Sequence, residues 1–151
     1  MEINKNFLTG FVALVITTGL FAQQNKSPEA VIEAWQKMWN TYDLEQVEQL
    51  FVTDQSVTYF SSEYAGLIIG TEAVRNHHEK FGFIRGGKKS GNKLWLSDAR
   101  YDLANTTCLV TATWYFQRET SEQRQAGPVT FLLVKKNDGW RIQHAHFSNN
   151  P

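Results

Sequence analysis

The sequence predicts an α+β fold in which helices pack on one face of a curved sheet. Apolar residues recur at helical spacing in the first half of the chain, which favours helices there. Runs of alternating or β-branched residues dominate the second half, and short turn-forming segments separate them. Helices grouped before a series of antiparallel strands are typical of an α+β architecture.

The first two helices are predicted from their N-terminal signals. Ser27-Pro28-Glu29 combines a hydroxyl cap, a proline at the first helical position and an acid in the first turn. The apolar stripe that follows consists of Val31, Trp35, Met38, Trp39 and Tyr42. Asp43 and Gln46 then form a capping-box pair that begins a second helix. Its inward residues are expected to be Leu44, Val47, Leu50 and Phe51.

Two short strands and a third helix are predicted next. The strands cover residues 56–60 and 64–69, with a turn between them, and the helix opens at Gly70-Thr71-Glu72. The spacing i, i+3, i+4, i+7 on this helix is occupied by Val74, His77, His78 and Phe81. Residues at this spacing share a helix face, so one or both histidines are expected on the buried side.

Residues 82–93 contain most of a phosphate-binding loop pattern but depart from it at two points. Lys89 occupies the position where Ser or Thr would bind magnesium. The segment also follows a helix and precedes a strand, whereas phosphate-binding loops lead from a strand into a helix N-terminus. We therefore interpret it as a flexible rim loop and not as a nucleotide site.

Four further strands are predicted at residues 94–102, 106–119, 129–136 and 140–148. Side chains alternate between the two faces of a strand, so the last strand is expected to be two-sided. One side would carry Trp140, Ile142, His144, His146 and Ser148, and the other Arg141, Gln143, Ala145 and Phe147.

The N-terminal segment predicts export. An apolar run from Phe7 to Phe21 follows Lys5 and ends at Ala22, which is typical of a signal peptide at residues 1–22 followed by one domain at residues 23–151. The run is shorter than the roughly 20 apolar residues that a membrane span needs, and no basic stop-transfer segment follows it. We expect a secreted or periplasmic protein without membrane association after cleavage.

Composition excludes some classes of partner and site. The chain has 15 basic and 15 acidic residues, and a balanced charge does not favour nucleic-acid binding. Its single cysteine, Cys108, cannot form an internal disulfide and lies in an apolar strand, so we interpret it as a core residue.

Several strings resemble the nuclear transport factor 2-like superfamily, and in particular its SnoaL-like domains. They are Tyr42-Asp43-Leu44, residues 54–60, residues 70–74 and residues 138–148, the last of which is also similar to the association domain of calcium/calmodulin-dependent protein kinases. The resemblance implies a cone-shaped, mixed or antiparallel sheet wrapped around three N-terminal helices, with an internal pocket and a homodimer. This fold hosts isomerases, dehydratases, cyclases, assembly domains and binders, so it leaves the activity open.

The resemblance also implies which residues line the pocket. The kinase association domain carries a histidine and three arginines in its pocket, and those positions fall here on uncharged residues. Without cations, the pocket is expected to bind a small, neutral, largely apolar molecule. The expected ligand-binding residues are Trp39, Val74, Thr113, Tyr115, Phe131, Gln143 and Phe147. His144 and His146 would then lie on the opposite face, for packing or a dimer contact.

Three functions remain open at this point. The first is ligand binding without chemistry. The second is a cofactor-independent lyase or isomerase, because dehydratase-type relatives use tyrosines and histidines; the candidates are His77 or His78 as base and Tyr59 or Tyr115 as donor. Tyr59 also stands where ketosteroid isomerases carry their aspartate base. The third is a structural dimerisation domain with Trp and Phe side chains filling the cavity. We expect no cofactor and no metal, since no Cys, Asp or Glu accompanies His144 and His146.

Overall fold

The structure, a computed structural model, describes residues 25–151, and the predicted signal peptide lies outside these residues. The helices are α1 (Pro28–Thr41), α2 (Gln46–Leu50) and α3 (Thr71–Lys80). The strands are β1 (Thr58–Phe60), β2 (Leu67–Ile69), β3 (Lys93–Leu103), β4 (Thr107–Gln117), β5 (Arg124–Lys136) and β6 (Gly139–Phe147). None of the helices in this range is long and apolar enough to cross a membrane.

The six strands form one open sheet in the order β2-β1-β6-β5-β4-β3. β1 runs parallel to β6, and all other neighbours are antiparallel, so the sheet is mixed. The helices cover its inner face, where α1 contacts β3 and β6. The predicted α+β class, with a mixed sheet and three helices packed against it, is confirmed.

Helix α1 forms as its sequence predicts. The Ser27 hydroxyl accepts a hydrogen bond from the backbone N–H of Ala30 at 3.2 Å, and Pro28 occupies the first helical position. Tyr42 ends the helix in the left-handed region with φ = 53°. The predicted apolar stripe is buried along its whole length, so α1 is the main element beneath the sheet.

Helix α2 is shorter than the capping-box pattern suggests. The Asp43 carboxylate accepts a hydrogen bond from the backbone N–H of Glu45 at 3.1 Å, so the turn forms, but the helix covers only Gln46–Leu50. Its predicted inward residues are all buried. After the helix, the backbone N–H of Val52 donates to the carbonyl of Ile142 at 2.9 Å, which attaches this segment to β6.

Strand β6 departs from strict alternation at Gln143. Leu132 pairs with His144 and Leu133 pairs with Ile142, so Gln143 is an additional residue in a β-bulge. As a result Ile142 and Ala145 are both buried in the core, and Trp140 and Phe147 lie on the same inner side. The prediction that Trp140 and Ile142 share a face with His144 and His146 is wrong, because the bulge reverses the alternation between them.

The glycine- and lysine-rich segment is anchored to the domain. Phe83 is buried, and its ring lies 5.0 Å from that of Trp39 and 4.8 Å from that of Tyr42. The backbone N–H of Ile84 donates to Tyr42, and its carbonyl accepts from Leu44. The interpretation as a flexible rim loop is therefore wrong for the first part of the segment.

Candidate functional site

The helices and the inner face of the sheet enclose a cavity of about 30 Å³. Its apolar and aromatic walls are Trp39, Tyr59, Phe81, Leu94, Trp114, Phe116 and Phe147, and its polar rim is Ser61, Ser62, Glu63 and Gln125. A space of this size holds about one or two water molecules. Aromatic side chains therefore fill most of the space between the helices and the inner face of the sheet.

The back of the cavity is closed by tightly packed rings. Trp35 is fully buried and packs edge-on to Phe131 at 4.9 Å and stacks on Phe147 at 5.5 Å between ring centroids. The indole N–H of Trp114 donates to the carbonyl of Ser148 at 2.8 Å, which fixes that wall. A Cβ at Gly127 would overlap the same Ser148 carbonyl, so only glycine allows the backbone of β5 to approach the segment after β6 this closely.

The seven residues expected in the pocket divide into four groups. Trp39 and Phe147 line the cavity. Val74 and Phe131 are fully buried in the core beside it without lining it. Gln143, which is half-buried, does not line it either, because it is the bulge residue of β6.

Thr113 and Tyr115 lie on the outer face of the sheet, contrary to their predicted position. Trp114 and Phe116 are the buried members of this alternating run and line the cavity, so their neighbours face outward. Tyr115 stacks on Trp95 at 5.2 Å between ring centroids, away from the cavity. The sequence showed the alternation of β4 but not which face closes the pocket.

Tyr59, His77 and His78, the candidates for catalysis, lie together. The Tyr59 ring is 5.4 Å from that of His77 and 5.7 Å from that of His78, and the two imidazoles are 5.6 Å apart. Tyr59 is buried and lines the cavity. β1 presents the tyrosine toward the histidine-bearing face of α3, which the sequence alone did not establish.

Burial governs the protonation of all three groups. Burial raises the pKa of the Tyr59 hydroxyl well above its ordinary value, so the phenol stays protonated. It also lowers the pKa of His78 to about 4. The pKa of His77 is lowered by burial and, to a smaller extent, by the charge of Lys80. Both imidazoles are therefore neutral near pH 7.

Several buried polar atoms around the cavity have no hydrogen-bond partner among the described residues. They are the indole nitrogens of Trp35 and Trp39 and the Nε2 atoms of His77 and His78. The Tyr59 hydroxyl likewise makes no hydrogen bond to a described residue. Trp39 packs against His78 at 5.4 Å between ring centroids, so these groups surround one small region of the interior.

The histidine pair of β6 belongs to the other face of the sheet. His144 Nδ1 lies 2.8 Å from the hydroxyl oxygen of Thr58, and neither His144 nor His146 lines the cavity. Between residues 25 and 151, no group of three or more His, Cys, Asp or Glu side chains could hold a metal ion.

Solved structures share the fold at low identity. A nuclear transport factor 2-like superfamily protein from Salmonella enterica is 19% identical, covers 89% of this chain and 94% of that chain, and has a TM-score of 0.68. A candidate ketosteroid isomerase from Parabacteroides distasonis is 17% identical, covers 85% and 96%, and has a TM-score of 0.67. A candidate calcium/calmodulin-dependent protein kinase II association domain from Thiobacillus denitrificans is 16% identical, covers 84% and 98%, and has a TM-score of 0.70.

No curated protein matches the chain significantly. The family model described as the SnoaL-like domain matches residues 29–151, which is nearly the whole described range. Together with the cone of sheet and helices around a central cavity, this match establishes that the chain belongs to the SnoaL-like domain family and has the nuclear transport factor 2-like fold.

Proposed function

We propose that the protein binds one small, largely apolar and neutral molecule inside the cone. The observation that carries the proposal is the group of unpartnered buried nitrogens beside an aromatic cavity, namely the indole nitrogen of Trp39 and the Nε2 atoms of His77 and His78. Buried polar groups in proteins nearly always have a partner. A bound molecule that supplies the missing partners accounts for several such atoms in one place.

The hydrogen-bonding groups define the chemistry of this molecule. Trp39 can only donate, and the neutral Tyr59 hydroxyl can donate or accept. His78 Nδ1 bonds to the Val74 carbonyl, so its Nε2 is an acceptor. An apolar molecule with one hydroxyl or carbonyl group complements this set. No Lys or Arg of residues 25–151 lines the cavity, so a carboxylate buried there would lose its hydration without compensation.

The cavity of about 30 Å³ must expand for any ligand larger than a few atoms. The segment between β1 and β2, residues 61–66, is half-buried or exposed and forms one rim. Gln125 donates a side-chain hydrogen bond to Glu63 at 2.7 Å, and Asn149 donates to the Ser62 carbonyl at 3.0 Å. Both bonds are exposed, so opening the loop between β1 and β2 costs little compared with moving the core.

Tryptophan fluorescence provides the direct test, because Trp39 and Trp114 line the cavity. We expect octanol and cyclohexanone to quench the emission more strongly than succinate does. Native mass spectrometry of protein purified without additives would identify a retained ligand. Tighter binding of succinate than of the neutral probes, unaffected by ionic strength, would contradict the proposal.

A cofactor-independent lyase or isomerase is the second candidate, favoured by the contact of Tyr59 with His77 and His78. A neutral imidazole can accept a proton while a neutral phenol donates one. Once a substrate is known, His77→Gln and His78→Gln should each be compared with the wild type. Loss of the base would lower kcat by roughly 10²- to 10⁴-fold with little change in affinity. An unchanged kcat in both variants would remove this candidate.

The outer face of the sheet supports a homodimer, which is also the basis of the structural alternative. Leu67, Ile69 and Leu109 are exposed there. The strand pairing places Phe60 beside Leu67 and Leu132 beside Leu109, and the charged residues of these rows, Arg100 and Asp102, lie at the β3 edge. Exposed apolar area on a strand face favours association with a second copy. Sedimentation velocity should give a dimer that Leu109→Lys converts to monomer. A wild-type monomer at high micromolar concentration would exclude the dimer.

We also propose that the protein acts outside the cytoplasm after removal of residues 1–22. The support is the apolar run from Phe7 to Phe21 that ends at Ala22. N-terminal sequencing of protein from the exported fraction should begin at Gln23. Exported protein that retains Met1 would contradict cleavage.

A further inference from the structure

We infer that the ligand site continues past His77 into a groove between β2 and α3, and that its occupant is an elongated molecule with an apolar body and a single carboxylate at Lys80. This inference rests on the proposed function, because the apolar end of the molecule would occupy the cone. The part of the ligand inside the cone remains uncharged, as proposed above, and its single charge lies outside the cone at Lys80.

The groove is an open space of about 310 Å³. Its lining consists of Tyr64, Leu67, Ile68, Ile69, Ala73, Asn76, His77 and Lys80. This volume lies at the lower end of the range for small-molecule sites, roughly 300–1,000 Å³, whereas the inner cavity alone is about ten times too small. The groove therefore provides the space that the cone lacks.

His77 is the wall between the two spaces. Its ring lies 5.4 Å from Tyr59 and 5.2 Å from Phe81, which line the cavity, and 6.3 Å from Tyr64, which lines the groove. Residues that are neighbours in the sequence also line the two spaces, which indicates that the spaces are adjacent. Glu63 and Phe81 line the cavity, while their sequence neighbours Tyr64 and Lys80 line the groove.

The His77 side chain is poorly satisfied in this position. It is 8% exposed, and its buried Nε2 has no hydrogen-bond partner among the described residues. A buried polar atom without a partner is destabilising, and a ligand that passes the ring and offers a hydrogen-bonding group would remove that cost. Rotation of one imidazole about its two side-chain torsions would connect the groove to the cavity.

Charge and polarity along the groove specify the occupant. Lys80 is exposed and makes no ion pair with a described residue, and no Asp or Glu lines the groove. The apolar part of the remaining lining is Leu67, Ile68, Ile69 and Ala73, and it carries no charged side chain. A single carboxylate at Lys80 with an apolar chain directed inward past His77 matches this arrangement. A dicarboxylate would place its second charge among apolar groups without a cation.

The charged end is tested with octanoate and its neutral counterpart octanol, measured by tryptophan quenching. Lys80→Gln should weaken octanoate binding about two- to fivefold, the range of one exposed ion pair, and leave octanol unchanged. Lys37→Gln, at an exposed position of α1, is the matched control and should change neither. Equal octanoate affinity in wild type and Lys80→Gln would overturn the inference. Octanol that binds none of these proteins would instead refute ligand binding in the cone.

The role of His77 as the wall between the groove and the cavity is tested by the kinetics of ligand entry. His77→Ala should accelerate octanol entry in stopped-flow fluorescence because the space between the compartments opens, and His77→Trp should slow it. His146→Ala, on the outer face, is the control and should leave the rate unchanged. Circular dichroism establishes that each variant is folded. Unchanged entry rates in both folded His77 variants would show that ligands reach the cone by another route and would overturn the inference.

Discussion

The Nδ1 atom of His78 lies 2.8 Å from the backbone carbonyl oxygen of Val74, one helical turn before it. A carbonyl can only accept, so Nδ1 carries the proton and Nε2 holds a lone pair. That lone pair lies in an interior where burial lowers the pKa of the ring to about 4. The backbone of α3 thus fixes both the tautomer and the neutral state of this imidazole.

The first prediction is a loss of stability in mild acid that depends on His78. Its pKa is about 4 in the folded state and about 6.5 in an unfolded chain. The unfolded state therefore takes up a proton first as the pH falls. The free energy of unfolding should decrease by about 3 kcal/mol between pH 6.5 and pH 4 and level off below that.

Chemical denaturation of the wild type and His78→Phe at pH 7 and pH 4.5 measures this contribution. The pKa of His77 is also lowered, so some pH dependence remains in the variant. The wild type should lose more stability than His78→Phe over this interval. Parallel losses in the two proteins would mean that His78 titrates normally.

The second prediction concerns the hydroxyl of Tyr59. It makes no hydrogen bond to a described residue, so Tyr59→Phe removes a buried polar group without breaking a bond. We expect stability to be unchanged or to rise by up to about 1 kcal/mol. Affinity for a hydroxyl- or carbonyl-bearing ligand should fall roughly two- to tenfold, as expected for one hydrogen bond.

Tyr115→Phe is the control, because Tyr115 stacks on Trp95 outside the cavity. It should affect neither thermal stability nor ligand affinity measured by fluorescence. A marked destabilisation of Tyr59→Phe would reveal a structural partner for its hydroxyl, and unchanged affinity would remove that hydroxyl from the site.

The sequence predicted local structure well where one element determines its own geometry. The cap at Ser27 and the stripe through Trp35 and Trp39 placed α1, because capping and 3.6-residue periodicity are properties of a single helix. The prediction that one or both of His77 and His78 lie on the buried side of α3 followed from the same periodicity, and both are buried.

The side of the sheet on which each strand residue lies was predicted less well, because it depends on pairing between strands. Strict alternation in β6 ignored the bulge at Gln143, which arises only when β6 is paired with β5. Thr113 and Tyr115 were expected inside on the basis of the resemblance, because alternation alone gives two faces of β4 without stating which one meets the helices. The contact of Tyr59 with His77 joins residues 18 positions apart and needs the whole fold.

A third prediction tests the close packing behind Trp114. Gly127→Ala would place a Cβ against the backbone carbonyl of Ser148, the acceptor for the Trp114 indole, and backbone cannot move aside easily. We expect a loss of at least about 2 kcal/mol, measured by thermal and chemical unfolding. In Gly91→Ala the three atoms nearest the new Cβ all belong to the flexible Glu119 side chain, which can move aside, so the loss should stay below about 1 kcal/mol. Equal losses would indicate that the contact with Ser148 relaxes.

The last prediction concerns the loop between β1 and β2, residues 61–66. Its closed position is held by the side-chain hydrogen bond from Gln125 to Glu63. Gln125→Ala removes this bond without altering the aromatic walls. The equilibrium between closed and open loop should therefore shift toward open, and ligand entry and exit should both accelerate. A net contribution of about 0.5–1 kcal/mol for an exposed hydrogen bond corresponds to about a two- to fivefold increase in both rates.

Stopped-flow tryptophan fluorescence with octanol measures these rates. Gln123→Ala is the matched control, because Gln123 is exposed and bonds to the Ser121 hydroxyl through its backbone N–H, which the substitution keeps. Its rates should equal those of the wild type. Since both rates rise together in Gln125→Ala, the Kd should change less than either rate. A weaker Kd with an unchanged entry rate would instead show that Gln125 contacts the ligand directly, and the loop between β1 and β2 would then not control access to the cone.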